Sequence, residues 1–249
     1  MTPVQQIDPI DCNHSRVQKL LARLARGDDC RTRVVKLNCP EGLPLFIKAM
    51  PICRLRDRIK HRLRPPHHAR EMAQRLQAAG LDSASTESCG ILRARSQPRP
   101  LAYVVTRDVG GVRLDQWLKQ VGTEMPRLRL LLHSMGRVFG RLHKAGIHHQ
   151  DPRCHNFFVH FNHYDQTEPR LSLIDLEGLY PLPIIPRAML GNRLRSFWQD
   201  MDFRLGSPNW LQMPSARRAL IDGLAGQVPD LGAWAQEQPS LFTPSPRQN

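Results

Sequence analysis

The chain has 249 residues, enough for one large domain or two small lobes with a substantial buried core. Hydrophobic residues make up 41% and charged residues 23%, the balance of a folded soluble protein. Lys plus Arg is 36 against 22 acidic residues, a net charge of +14, and a field of that sign gathers anions: nucleic acid, an anionic membrane face or a phosphorylated substrate.

The N-terminal "MTPVQQIDPIDCN" is polar, with no basic start and no apolar run, so no signal peptide is expected. No segment approaches the ~18 to 20 apolar residues of a transmembrane helix, and the expected location is the cytoplasm. The six cysteines (Cys12, Cys30, Cys39, Cys53, Cys89, Cys154) are scattered and include no CxxC pair. That spacing argues against a thiolate zinc site and a disulfide framework and predicts reduced thiols.

Residues 15–25 carry Val17, Leu20, Leu21 and Leu24 at helical spacing, with Gly27 as a stop. "TRVVKL" and "PLFIKAM" read as two strands around a turn at "NCPEG", the start of an antiparallel sheet. "ICRLRDRIKHRLR" then places Ile52, Leu55, Ile59 and Leu63 three and four residues apart, with a basic residue at every even position from Arg54 to Arg64. This is an amphipathic helix ended by Pro65 and Pro66, whose apolar stripe suits either the sheet or an anionic membrane surface. "HHAREMAQRLQAAG" predicts a second helix with Met72, Leu76 and Ala79 on one face and Gly80 at its end.

A Ser-rich loop leads to two strand candidates, "GILRA" and "LAYVVT". "RDVGG" reads as a joint and "VRLDQWLKQV" as the opening of a helical half. The longest helix is predicted over 126–145, where Leu128, Leu132, Met135, Phe139 and Leu142 keep helical spacing and Gly146 stops it. The whole predicts an α+β fold of two lobes with a cleft between them. Residues 1–107 form a lobe with an antiparallel sheet and one main helix. Residues 108–236 form a mostly helical lobe, and 237–249 a Pro- and Ser-rich disordered tail.

The chemistry concentrates in "IHHQDPRCHNFFV", just after the long helix. His149, Asp151 and Asn156 match the spacing H-x-D-x-x-x-x-N of kinase catalytic loops. Phosphoryl transfer from ATP needs a carboxylate at the acceptor hydroxyl and a neutral amide oxygen nearby that can hold Mg2+. Downstream, the apolar run of "RLSLIDLEG" delivers Asp175 to the end of a strand, where a carboxylate can chelate the same kind of ion. Upstream, Lys48 stands in an apolar strand, which suits a cation meeting phosphates. Glu71 is the only acidic residue between Asp57 and Asp82 and so its natural partner. His148, His155, His160 and His163 cluster near the loop but match no zinc spacing.

Taken in order, these segments resemble the eukaryotic-type kinase fold. Within it they are most similar to the bacterial lipopolysaccharide core kinases, the Kdo/WaaP family with its InaA-like relatives. The resemblance runs from about Val34 to about Leu205 and rests on "LFIKAM", "AREMAQRLQAAGL", "YVVTRDVGGVRLDQWL", "GIHHQDPRCHNFFV" and "LSLIDLEGL". It implies transfer of the ATP γ-phosphate to a sugar hydroxyl of the lipopolysaccharide inner core, Kdo or heptose. It also implies Asp151 as catalytic base with His149 bracing its loop, Asn156 and Asp175 as metal ligands, and Lys48 with Glu71 as the phosphate-anchoring pair.

The sequence departs from the wider kinase pattern in four places. No G-x-G-x-x-G precedes Lys48, the metal motif is Asp175-Leu176-Glu177-Gly178, no A-P-E follows, and Gln150 replaces the arginine of regulated protein kinases. A protein substrate is thereby disfavoured.

Arg153 is placed to reach a substrate anion, and Asp200 or Asp202 to brace the loop. The expected partner is lipopolysaccharide core or another anionic sugar acceptor, met at the cytoplasmic face of the inner membrane by a monomer. Two alternatives stand beside it. An aminoglycoside- or choline-type phosphotransferase shares the loop, but its cationic acceptors oppose the +14 charge. A kinase-fold binding protein without activity would not need the full polar set. No nucleic-acid partner is expected, because aromatic residues are 6% and no stacking motif is present.

Overall fold

The computed structural model describes residues 32–39, 42–93, 99–121, 124–161, 168–206 and 213–243. The expected helix at 15–25 and residues 162–167 of the hairpin tip lie outside the described residues. Two compact units divide the chain, Met1–Gln74 with Ala84–Val109 and Arg75–Ser83 with Gly110–Asn249.

The first unit is built on an antiparallel sheet. Its strands β1 (Arg33–Leu37), β2 (Leu45–Pro51), β4 (Thr86–Leu92) and β5 (Leu101–Arg107) lie in the order β1-β2-β5-β4. Along β2, Leu45, Ile47 and Ala49 turn into the core while Phe46 and Lys48 are half-buried, the period-2 pattern of a strand with one wetter face. β5 is buried through Val105, as a central strand should be, and Leu45, Ile47, Tyr103 and Val105 form the heart of this core. The Ser-rich stretch read as loop contributes the start of β4, because Ser88 is buried in a pairing that hydropathy alone does not signal.

Helix α1 (Leu55–Leu63) follows β2, and α2 (His68–Ala78) runs from the first unit into the second. Met72 and Leu76 are buried as expected, and Gly80 takes a left-handed turn after α2. Helix α1 corrects one expectation. Of its stripe only Ile52, just ahead of the helix, is buried: Leu55, Ile59 and Leu63 are exposed, and His61 is the helix residue turned inward. The cysteines supply a second correction. Cys39 and Cys53 each take part in a disulfide, while Cys89 and Cys154 are free thiols. Spacing along the chain is blind to which sulfurs a fold brings into bonding range.

The second unit is centred on α4 (Met125–Lys144), one residue offset from the predicted helix and closed by Gly146 at φ 62°. It packs on α6 (Pro214–Ala225) with backbones nearly touching. A Cβ on Gly136 would sit 2.1 Å from the Leu220 carbonyl oxygen, and one on Gly223 2.0 Å from that of His133. Strand β3 (Asp82–Ser83) runs parallel to β9 (Arg170–Leu173). β9 pairs antiparallel with β8 (Phe157–His160), and β8 with β6 (Val112–Arg113), after which α3 (Leu114–Val121) begins. β7 (Ile147–His149) pairs with β10 (Leu179–Pro181) in a separate ribbon.

Phe139 of α4, Phe157 of β8 and Phe197 of α5 (Arg187–Arg204) meet edge-on or tilted, with centroids 5.5 to 6.5 Å apart. This ring cluster is the floor beneath the polar loop. Helix α7 (Pro229–Gln236) completes the unit. The expected disordered tail is corrected over its first part. Residues 239–242 form a 3-10 turn with Leu241 and Phe242 buried, and the Phe242 ring meets Trp198 edge-on at 5.1 Å. Two large apolar side chains outweigh the Pro and Ser around them.

Candidate active site

The loop that carries His149, Asp151 and Asn156 leaves β7 and enters β8 through a short 3-10 turn, Cys154–Asn156. Its side chains alternate. Pro152, Cys154 and Asn156 are buried, whereas Asp151 and Arg153 are exposed. The apolar strands on both sides thus hold a polar loop whose charged members face outward. Asp151 Oδ1 lies 2.9 Å from Arg153 Nε. Asn156 Nδ2 donates to the Asp151 carbonyl oxygen at 2.8 Å, which closes the loop on itself and leaves Asn156 Oδ1 as an acceptor.

His149 is 3% exposed, tilted against Phe157 with centroids 5.6 Å apart, and neither ring nitrogen has a hydrogen-bond partner. Burial lowers its pKa to about 4, with the Asp175 charge only partly opposing, so the ring is neutral near pH 7. It supports the loop from below.

Asp175 follows β9 at φ 58°, ψ 50°, the one non-glycine residue with positive φ among the described residues. Such a conformation costs about 1–3 kcal/mol and persists where neighbouring structure imposes it. Here the Ile174 N–H donates to Asn156 O at 3.0 Å, the Gly178 N–H to Asp175 O at 3.0 Å, and the Gln150 N–H to Gly178 O at 2.9 Å. The Asp175 turn is therefore tied to the Asp151–Asn156 loop at both ends. Glu177, half-buried, stands in the 3-10 turn that follows.

Asn156 Oδ1 and the Asp175 carboxylate are hard oxygen donors of the kind Mg2+ takes. That ion needs only one or two carboxylates when phosphates and water complete its shell. A cage of three or more His, Cys, Asp or Glu is absent among the described residues. The donor set fits Mg2+.

In the first unit, Lys48 sits mid-strand in β2 opposite Val34 and Val104. Glu71 is exposed in the first turn of α2, with its carboxylate 3.9 Å from His67 Nε2. The structure places Glu71 against a histidine one helical turn before it.

The model of one family, described as "Lipopolysaccharide kinase (Kdo/WaaP) family", matches residues 42–180, more than half of the chain and all six candidate residues. The chain belongs to the lipopolysaccharide kinase (Kdo/WaaP) family. Among solved structures, "WaaP in complex with acyl carrier protein" is similar with a TM-score of 0.52 at 19% identity, covering 88% of each chain. That likeness shows the protein-kinase-like α+β fold. No curated protein matches the chain.

For this Kdo/WaaP kinase, sequence reasoning missed most of what holds the loop in place. Helix α5 presents Arg193, Asp200 and Arg204 toward it. Arg193 donates from Nε to His148 Nε2 at 3.1 Å and from Nη1 to Gln150 O at 2.5 Å. Asp200 Oδ2 accepts the Cys154 N–H at 2.8 Å and so braces the loop backbone. Arg204 donates from Nε to Asp200 at 2.9 Å and from Nη1 to Asp115 Oδ2 at 3.0 Å, and its Nη2 lies 3.1 Å from His155 Nδ1.

Asp115, buried, also receives Arg113. Burial works against its ionisation, but the Arg113 hydrogen bond and the two guanidinium charges outweigh it and hold the carboxyl below its usual range. Burial and Asp200 together push the Cys154 thiol well up, so it stays protonated and inert. The only sequence signal for this network was the excess of charge in two otherwise apolar helices.

Proposed function

We propose that this kinase transfers the γ-phosphate of ATP to a sugar hydroxyl of the lipopolysaccharide inner core, Kdo or heptose. The observation that carries the reading is the locked loop. Asn156 closes it by bonding the Asp151 carbonyl, so the Asp151 carboxylate stands outward beside Arg153 while Asp175 is fixed in the adjoining turn. Asp151 accepts the hydroxyl proton as the acceptor oxygen attacks. Asn156 Oδ1 and Asp175 would hold Mg2+, which would supply positive charge to the nucleotide phosphates. Arg153 offers a cation to the anionic acceptor or the transferring group.

Lys48 meets the phosphates from the apolar β2, and Glu71 exchanges His67 for Lys48 when nucleotide is present. His149 shapes the loop without exchanging protons. The acceptor is polyanionic, which agrees with a net charge of +14. It is also membrane-anchored. No helix among the described residues is long and apolar enough to cross a bilayer, and we place the protein at the cytoplasmic face of the inner membrane.

The test is transfer from γ-labelled ATP with Mg2+, comparing wild type with Asp151→Asn. Rough-type lipopolysaccharide, a soluble Kdo or heptose oligosaccharide and a cationic aminoglycoside are offered in parallel. The expected result is label on the first two acceptors, lost by about 10²- to 10⁴-fold in the variant while nucleotide still binds. Label on the aminoglycoside alone would overturn the acceptor. No nucleotide binding at all would overturn the enzyme.

A further inference from the structure

Helix α1 is folded inside out. Its nine residues, Leu55–Leu63, turn His61 inward at 9% exposure, and the aliphatic residues face solvent: Leu55 is 72%, Ile59 52% and Leu63 75% exposed. At ~100° per residue the three lie within about 80° of one another, and His61 lies about 200° from Ile59, on the opposite side. The stripe runs roughly 12 Å along the axis.

Basic residues line it on both flanks. Arg58 and Arg62 stand on one side and Arg56 and Lys60 on the other, with Arg54 and Arg64 at the ends. The single acid, Asp57, is turned to the start of the helix, where it accepts the Arg54 N–H at 2.8 Å. Burial, with Lys60 close by, lowers the His61 pKa, so the packed side is uncharged near pH 7 and the cationic charge stays outside.

A globular helix normally buries its aliphatic stripe, and a solvated helix normally has none. Three aliphatic side chains displayed between two rows of Arg and Lys suit a bilayer interface. The stripe enters the acyl boundary while the long cations reach phosphate headgroups on either side. We propose that α1 is an interfacial helix that docks this protein on anionic phospholipid, with Leu55, Ile59 and Leu63 as the inserted residues.

The partner is lipid rather than an acidic protein because the stripe is a convex ridge with charge on both sides, which a flat and laterally fluid anionic surface satisfies at once. The docking stands on the helix geometry alone. Its use, bringing the site to a membrane-anchored acceptor, rests on the lipopolysaccharide-kinase reading.

The experiment is co-sedimentation of the full-length protein with phosphatidylcholine vesicles, with and without about a third phosphatidylglycerol. It compares wild type with Leu55→Ser/Ile59→Ser/Leu63→Ser and with Arg56→Gln/Arg58→Gln/Lys60→Gln/Arg62→Gln. All of these side chains except the helix backbone they sit on are free of core packing, and unchanged circular dichroism and Tm confirm folding. Wild type should partition onto the anionic vesicles and not the neutral ones, and each variant should lose at least tenfold.

Transfer to a soluble core oligosaccharide should be unchanged in the serine variant, and transfer to vesicle-embedded lipopolysaccharide should fall in both. Equal sedimentation of wild type and the serine variant would overturn the insertion. So would retention on immobilised polyglutamate, lost in the same variants, with no vesicle binding, which would assign the face to an acidic protein. Vesicle binding with no transfer to any sugar would leave the docking in place and sink the acceptor assignment instead.

Discussion

Asp151 and His149 are two residues apart, one exposed and one buried, and burial sets how His149 responds to pH. Unfolded His149 titrates near 6.5 and folded His149 near 4, because the interior disfavours the imidazolium. Between those values the unfolded chain takes up a proton that the native chain refuses. The stabilising contribution is therefore complete above about pH 6.5 and is lost as pH falls toward 4, at up to about 1.4 kcal/mol per pH unit. His61, His143 and His160 shift the same way by burial, so the whole chain loses stability on acidification. The difference between wild type and His149→Phe isolates one of them: the wild-type urea midpoint should fall relative to that of the variant as pH drops from 7 to 4, and parallel curves would exclude this origin.

Asp175 is tested by nucleotide binding rather than by stability. Asp175→Asn keeps the shape but removes the charge, and should weaken Mg2+-ATP binding while leaving Mg2+-free binding nearly unchanged, as read by calorimetry. The identities of these residues were legible in the sequence because spacing within one short segment survives folding as geometry. The left-handed backbone of Asp175 was not legible, since it is imposed by hydrogen bonds from a loop some twenty residues away.

Helix α5 shows what local pattern cannot reveal at the scale of an element. "NRLRSFWQDMDFRL" predicts a helix, and one forms, but its sequence does not say that Arg193, Asp200 and Arg204 end against the same loop. Helix α1 teaches the same lesson from the other side. Periodicity said which residues share a face, and only the structure shows that this face is turned to solvent. Strands β2 and β5, by contrast, were readable because a strand buried in a sheet must be apolar along its inward residues wherever it lies in the chain.

The role of α5 yields a prediction with a readout that loss of packing does not mimic. Asp200→Asn removes the charge that accepts the Cys154 N–H and anchors Arg204, at a cost of about 1–3 kcal/mol in stability. Because the braced loop carries Asp151 and the proposed Mg2+ ligand Asn156, kcat should fall about tenfold to a hundredfold while Mg2+-free nucleotide binding stays unchanged. Weaker Mg2+-free nucleotide binding would mean that the second unit as a whole had loosened.

At the scale of the whole molecule, the net charge of +14 acts on any charged acceptor before contact. At about 0.1 M salt the Debye length is ~10 Å, so the field of a basic protein still reaches an approaching polyanion; near 1 M it shrinks to ~3 Å and the attraction is confined to direct contacts. Bonds internal to the loop, such as Asn156 Nδ2 to Asp151 O, are short direct contacts that salt screens less than a long-range field. Salt should therefore separate encounter from chemistry. With a soluble, phosphorylated core oligosaccharide, the KM for the acceptor should climb steeply between about 0.05 M and 0.5 M salt while kcat stays level. With a cationic acceptor the sign reverses, because screening removes a repulsion and the KM should fall. A KM that ignores salt would mean that the positive charge faces away from the acceptor's path and serves the membrane helix alone. Steady-state kinetics at four or five salt concentrations thus reads, from one enzyme preparation, both the sign of the natural acceptor and whether the charge of this chain is spent on substrate or on surface.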